Sequence, residues 1–260
     1  MIIPSNKDKL SRIIISKRLG HHIKRFLPLL YSWAMYIHVA KREPEMILLP
    51  LFCDKDKISL DIGVLWGAYT YILRKLSKLC YAFEPNPEQI SFLKRSFKRK
   101  VKIIPEALSD KSRKTILRVP FDIAGNATIE PQNRLAGRSY NEFVVNCGIL
   151  DKYNLKDIAF IKIDVEGHEP SVLRGMEKTI EREKPTLFIE ISSKHNPNSF
   201  SFTIDWMISK DYLIFYFYNG LLHNQIEFKD MLDESNEVKH SSNFIFIHKS
   251  KINRYGDYIK

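Results

Sequence analysis

Apolar positions in this chain gather into short continuous runs separated by helix-spaced stretches, beginning near residue 58. Ile58–Ile62 has strand length, and Ala68–Leu79 places Leu73, Leu76 and Leu79 at helical spacing. Cys80–Phe83 reads as a strand, and Pro87–Lys98 as a helix with proline in its first turn, where the missing N–H costs little. Val101–Leu108 reads as a third strand, and Lys114–Val119 alternates in strand fashion. Residues 121–148 form a polar excursion rich in Gly and Asn, and a connection this long within a compact domain marks a binding loop or a lid.

Downstream, Ile158–Val165 is a strongly apolar strand, Pro170–Glu183 a helix, Thr186–Ile191 a strand and Phe202–Lys210 a helix. Tyr212–Tyr218 is an aromatic strand, and Asn243–His248 is expected to pair antiparallel with it through the Asn219-Gly220 turn region. The alternation predicts an α/β fold, with a mainly parallel sheet, an antiparallel last strand and helices on both faces. Residues 1–54 read as an N-terminal helical extension, 55–250 as the main domain and 251–260 as a C-terminal tail.

Composition narrows this picture only a little. A chain of 260 residues with 44% hydrophobic content buries a core without disulfides or structural metal. Cys53, Cys80 and Cys147 are odd in number, far apart and without metal spacing, so no metal site is expected and a reducing, cytoplasmic setting is favoured. The formal charge of +11 suits nucleic acid, anionic lipid or an acidic glycan, but equally the solvation of exposed helices. No zinc-finger or RNA-recognition signature accompanies it, so nucleic acid is not the expected partner. The apolar run Phe26–Ala40 is shorter than the roughly 20 residues that cross a bilayer. It follows Lys17, Arg18, Lys24 and Arg25, as in a segment lying on a membrane surface or in a helix packed on the domain.

The chemistry concentrates at strand ends. Asp61-Ile62-Gly63 and Gly67 close the first strand, and Ala82-Phe83-Glu84-Pro85 closes the second, about twenty residues beyond the first glycine. Glycines at such a turn let the backbone approach a ligand, and the later carboxylate can accept both hydroxyls of a ribose. Several nucleotide-type ligands fit that description. Ligands of an open parallel sheet sit beyond the carboxyl ends of its strands, so Asp61, Glu84, Glu106, Asp164 and Glu190 are expected at one crevice.

Four segments taken in order resemble the FkbM family of S-adenosylmethionine-dependent methyltransferases over about residues 58–191. They are Asp61-Ile62-Gly63 with Gly67, Tyr69 and Thr70; Ala82-Phe83-Glu84-Pro85-Asn86-Pro87; Ala107-Leu108-Ser109-Asp110; and Ile161-Lys162-Ile163-Asp164-Val165-Glu166-Gly167-His168-Glu169 with Leu173-Arg174-Gly175. One departure stands out: Gly63-Val64-Leu65-Trp66-Gly67 replaces the family's usual Gly-Ala-Asn-x-Gly. The resemblance implies a Rossmann-like class I methyltransferase sheet, S-adenosylmethionine as cofactor, and methylation of a hydroxyl on a sugar, glycan or related metabolite.

On that resemblance Glu84 would accept the ribose hydroxyls, and Asp61, Gly63, Gly67 and Tyr69 would belong to the turn beneath the methionine part. Ala107 and Leu108 would border the adenine, with Glu106 at its edge. A base for the acceptor hydroxyl would come from Asp164 first, His168 second and Glu190 third. Glu166 and Glu169 suit the start of the following helix, where acids meet its dipole. The residues 125–137, with Asn126, Thr128, Asn133 and Arg134, would form a polar lid over the acceptor. Two competing functions stay open: a non-catalytic binding protein on the same fold, and a nucleic-acid methyltransferase. An NAD-dependent enzyme is disfavoured by the missing third glycine of that fingerprint.

Overall fold

A strand buried on both faces must be apolar nearly throughout, and β1 (Ile58–Ile62) is buried at every residue. The computed structural model describes residues 5–192, 195, 196, 198–224 and 243–260. The other strands are β2 (Leu79–Phe83), β3 (Val101–Ile104), β4 (Ala107–Leu108), β5 (Arg113–Pro120), β6 (Tyr140–Gly148), β7 (Ile158–Ile163), β8 (Thr186–Glu190), β9 (Tyr212–Tyr218), β10 (Leu221–Asn224) and β11 (Asn243–His248). Eight of them form one sheet in the order β10-β9-β11-β8-β7-β1-β2-β3. Strands β1, β2, β3, β7 and β8 run parallel, and β11 lies antiparallel between β8 and β9. This is the mainly parallel sheet that the alternation predicts.

Several details differ from the sequence expectation. The stretch Val101–Leu108 is two strands, because Pro105 lacks a ladder donor and the Glu106 amide turns back to the Ile104 carbonyl at 2.9 Å. The second half, β4, leaves the main sheet and joins β5 and β6 in a small three-stranded one. The excursion 121–148 ends in β6, paired along the whole of β5. Its inward residues Val145 and Cys147 alternate with a 69% exposed Val144, which hides the period of two. Finally, the Asn219-Gly220 turn, with both residues at positive φ, closes a hairpin between β9 and β10 rather than leading to β11.

The helix expected over Pro170–Glu183 is likewise interrupted. It forms as two pieces, Glu169–Arg174 and Glu177–Glu183, where Gly175 presses so closely on the chain that a Cβ would lie 2.0 Å from the Ser109 carbonyl.

Helices cover both faces. Val172, Leu173, Ile180, Ile204 and Met207 pack on Ile161, Ile163, Leu187 and Ile189 of one face. On the other, Leu49, Phe52, Leu73, Phe92 and Leu93 cover Phe160, Phe188 and Ile245. The N-terminal helices α1 (Ser5–Ile15), α2 (Lys17–Phe26) and α3 (Pro28–Val39) follow in sequence. The third packs across the helices Ala68–Leu76 and Pro87–Ser96, and the first two lie on the third. The last residues fold as a 3-10 helix, Lys249–Tyr258, with Tyr255 buried against Phe52. No helix among the described residues is long and apolar enough to cross a membrane.

Candidate active site

The turn after β1 is shaped by close approach. Gly63 has φ +86°, and a Cβ on it would lie 1.7 Å from the Asp164 carbonyl oxygen, so only glycine lets the ends of β1 and β7 meet. Gly67, at φ +75°, starts the next helix, and a Cβ there would sit 2.5 Å from the Phe97 ring. Gly63 lines a cavity at the carboxyl edge of the sheet; Gly67 does not and serves packing. Between them the Leu65 amide donates to Glu84 Oε2 at 2.8 Å. Trp66 turns away from the cavity against Tyr31 and Phe92.

The cavity encloses about 620 Å³ of empty space, part of it open to solvent. Glu84 lies on its wall, 5% exposed, and its other oxygen accepts the Asn86 amide at 2.9 Å. Burial pushes its carboxyl up to about 7 against the pull of the Asn86 and Leu65 amides. Each oxygen keeps a further lone pair for a ligand hydroxyl. Beside it stands Gln89, 2% exposed, whose buried side-chain amide nitrogen has no hydrogen-bond partner among the described residues. A buried unpaired donor on a cavity wall is costly when the cavity is empty and is answered by a polar ligand. No sequence motif points to Gln89.

Ala107 and Leu108 form the apolar side of the cavity with Phe83 and Ile62. Glu106 is at the edge, where the Tyr153 hydroxyl donates to its Oε2 at 2.8 Å. Ala124, Gly125, Ala127, Thr128 and Ile129 bring the excursion to the cavity with a mainly apolar lining. Of the four polar residues expected in that lid, Thr128 alone lines the cavity. Asn133 donates to the Glu166 carbonyl at 2.9 Å, as does Thr128, and these two bonds pin the lid to the loop after β7. Asn126 is half-buried off the cavity, and Arg134 is exposed.

The five strand-end acids divide into two groups. Glu84, Glu106 and Asp164 line the cavity, whereas Asp61 and Glu190 do not. Asp61 faces the covering helix and accepts from Thr70 at 2.5 Å, with burial pushing its carboxyl up to about 6. Tyr69 is also outside the cavity and donates to Glu43 at 2.6 Å. These residues surround the fully buried Lys162, which donates to Asn243 at 2.8 Å and lies 3.8 Å from Glu190. Asn243 in turn donates to Glu43 at 2.9 Å. Asp164 joins the two groups: it lines the cavity, and burial together with the Glu190 charge holds its carboxyl well above the usual range while Lys162 opposes them. Glu43 and Asn243 lie far along the chain from any motif, and no local signal points to them.

His168 lines the cavity, but both ring nitrogens are engaged: Nδ1 with Glu130 at 2.9 Å and Nε2 with Ser109 at 3.0 Å. Glu130 belongs to the lid, so this contact is a further tie between lid and loop. Glu169 accepts from the Gly167 amide at 2.9 Å and from Ser199 at 2.6 Å, holding the turn that precedes its helix. Among the described residues no group of His, Cys, Asp or Glu could hold a metal ion.

These walls fit S-adenosylmethionine on their own chemistry. Glu84, a carboxylate, and Gln89, an orphaned amide donor, line one cavity together with the apolar Phe83, Ala107 and Leu108 and a further acid, Asp164.

Residues 61–214 match the family model described as the methyltransferase FkbM domain. Among solved structures, the chain is similar to the methyltransferase FkbM from Methylobacillus flagellatus KT, at 16% identity and a TM-score of 0.47, over 94% of this chain and 58% of that one. It is also similar to an rRNA methylase from Streptococcus thermophilus, at 13% identity and a TM-score of 0.44, over 79% of this chain and 94% of that one. A Streptococcus mutans protein in complex with SAH gives 14% identity and a TM-score of 0.44, over 79% of this chain and 97% of that one. No curated protein matches.

Proposed function

Because the chain belongs to the FkbM methyltransferase family, with S-adenosylmethionine as its cofactor, we propose that it methylates a hydroxyl of a sugar, glycan or related metabolite. The observation that carries this reading is the position of Asp164, on the cavity wall and also beside the buried acids around Lys162. When bound, the cofactor supplies an electrophilic methyl group on a sulfonium. The chain's part is to seat it and to take the acceptor's proton.

In this reading Glu84 accepts the ribose hydroxyls and Gln89 donates beside it. Ala107 and Leu108 flank the adenine, and Gly63 leaves room for the backbone at the methionine end. Asp164 takes the proton from the acceptor hydroxyl. Its raised carboxyl makes it a stronger base once ionised, and a positioned base contributes typically about 10²–10⁴-fold. His168, with both nitrogens occupied, holds the loop that carries Asp164, and Glu190 acts on Asp164 through its charge. Residues 55–250 make up the catalytic unit in this reading, and 1–54 the extension that supplies Glu43.

Glu43, Glu45, Asp164 and Glu190 all act on the charge of the buried Lys162, and of these acids Asp164 alone lines the cavity. Among the described residues, the cavity lining holds Glu84, Glu106 and Asp164 and no Lys or Arg, so it offers a phosphate backbone no cation, which supports a neutral hydroxyl acceptor over a nucleic acid. The three cysteines are free and buried, in keeping with a cytoplasmic setting. A screen with methyl-labelled cofactor against nucleotide sugars, cell-wall precursors and lipopolysaccharide precursors tests the reading. Label in a base-stable ether with release of S-adenosylhomocysteine supports it, and label found only in RNA or DNA overturns it.

A further inference from the structure

We propose that the N-terminal helices and the end of the helix Pro87–Ser96 form a docking surface for an anionic lipid bilayer. Residues 9–42 contain eight Lys or Arg and no Asp or Glu. Among the described residues, the same stretch holds seven of the seventeen exposed large apolar side chains. Leu10, Ile13 and Leu19 are followed by Phe26, Leu27, Leu29 and Leu30, with Phe26 at 66% and Leu27 at 56% exposed. Isolated exposed leucines are ordinary, but neighbouring ones of this size mark a surface that meets something apolar.

Phe26, Leu27, Leu29 and Leu30 form one lip of a groove whose other lip is Arg74, Arg95, Lys98 and Arg99. Apart from Arg74, that second lip belongs to Lys94-Arg95-Ser96-Phe97-Lys98-Arg99-Lys100, in which every basic residue is exposed. Apolar side chains beside a dense basic rim are what an interfacial segment needs: the former enter the acyl boundary while the latter meet lipid phosphates. The described helices are too short or too polar to span the bilayer, so the protein would lie on it. A nucleic acid would satisfy the basic lip but leave Phe26 and Leu27 without a role. The bilayer explains both.

Flotation of the purified full chain with vesicles tests this. One set is phosphatidylcholine with one-quarter phosphatidylglycerol, and the other phosphatidylcholine alone, both in 0.1 M salt. The expected result is at least tenfold tighter binding to the anionic vesicles. The double variant Phe26→Ser/Leu27→Ser should lose most of it. Arg95→Glu and Lys98→Glu should each weaken it by about fivefold or more, since each cation near the surface contributes on that scale. All four positions are exposed and outside the cavity, so unchanged binding of S-adenosylhomocysteine reports an intact fold. Absent vesicle binding, equal binding to both vesicle types, or full binding by the Ser/Ser variant would overturn the proposal. In the last case, a basic-residue dependence shared with RNA would reassign the face to nucleic acid.

Discussion

Leu65 donates its backbone amide to the carboxylate of Glu84 at 2.8 Å, tying the turn after β1 to the end of β2. The residue that departs from the family's usual turn thus contributes through its main chain, held at φ +51°. Its own side chain lies on the cavity wall near Gly125 of the lid. The altered turn therefore retains the bond that orients Glu84.

Gln89 is the clearest test of whether the cavity takes a polar ligand. Replacing it by Leu removes a donor that has no partner among the described residues, so thermal stability should hold or rise. Affinity for S-adenosylhomocysteine should fall by roughly three- to tenfold, the worth of one neutral hydrogen bond. Parallel calorimetry and thermal melts check both halves. A variant that loses stability but binds normally would assign Gln89 to the fold alone.

Asp164 should govern turnover rather than binding. Asp164→Asn is expected to lower kcat by about 10²-fold or more with little change in cofactor affinity. Because burial and Glu190 raise its carboxyl, the wild-type kcat should climb with pH above the usual carboxylate range. The variant should lose that limb. A pH–rate profile for the two proteins decides it, and an unchanged limb would remove Asp164 as the base.

Much of this architecture is legible in the amino-acid sequence, and for physical reasons. Strands buried on both faces need unbroken apolar runs, so β1, β7 and β8 announce themselves, and Asp61, Asp164 and Glu190 fall where those runs stop. Side-chain direction is not legible in the same way. Asp61 and Glu190 end strands as expected but turn to Lys162, on the far side from the cavity lining. Gln89 does leave a trace: it shares a helix stripe with Phe92, Leu93 and Ser96, and a polar residue on a buried stripe faces either a partner or a ligand. Glu43 and Asn243 leave none, since only folding brings the two ends of the chain to Lys162.

Glu45 predicts a pH dependence of stability. It is 2% exposed with one carboxyl oxygen unpartnered among the described residues, and burial pushes it up to about 7. A folded value above the unfolded one means that its contribution is fully present below about pH 4.3 and is lost as pH rises through about 7. Asp61 and Glu84 act in the same direction. Glu45→Gln should therefore be the more stable protein at pH 8, by up to about 3 kcal/mol, since each tenfold change in proton affinity corresponds to roughly 1.4 kcal/mol. Urea melts at pH 5 and pH 8 check it, and an equal loss of stability in both proteins would contradict it.

The lid should loosen when its tie to His168 is cut. Glu130→Ala removes the acceptor of the His168 ring and leaves Thr128 and Asn133 as the remaining ties to that loop. Faster proteolysis within residues 121–139 is expected, with a higher acceptor KM. Cleavage at the wild-type rate would show that the two bonds to the Glu166 carbonyl suffice.

Calorimetric titration of S-adenosylhomocysteine into the wild type and Glu84→Ala addresses the cofactor cavity most directly. Saturable binding of one molecule per chain is expected, weakened at least tenfold by the substitution, since bonds to a charged group are worth roughly 1.5–3 kcal/mol. Equal affinity in the two proteins, or no heat from the wild type at millimolar ligand, would contradict it.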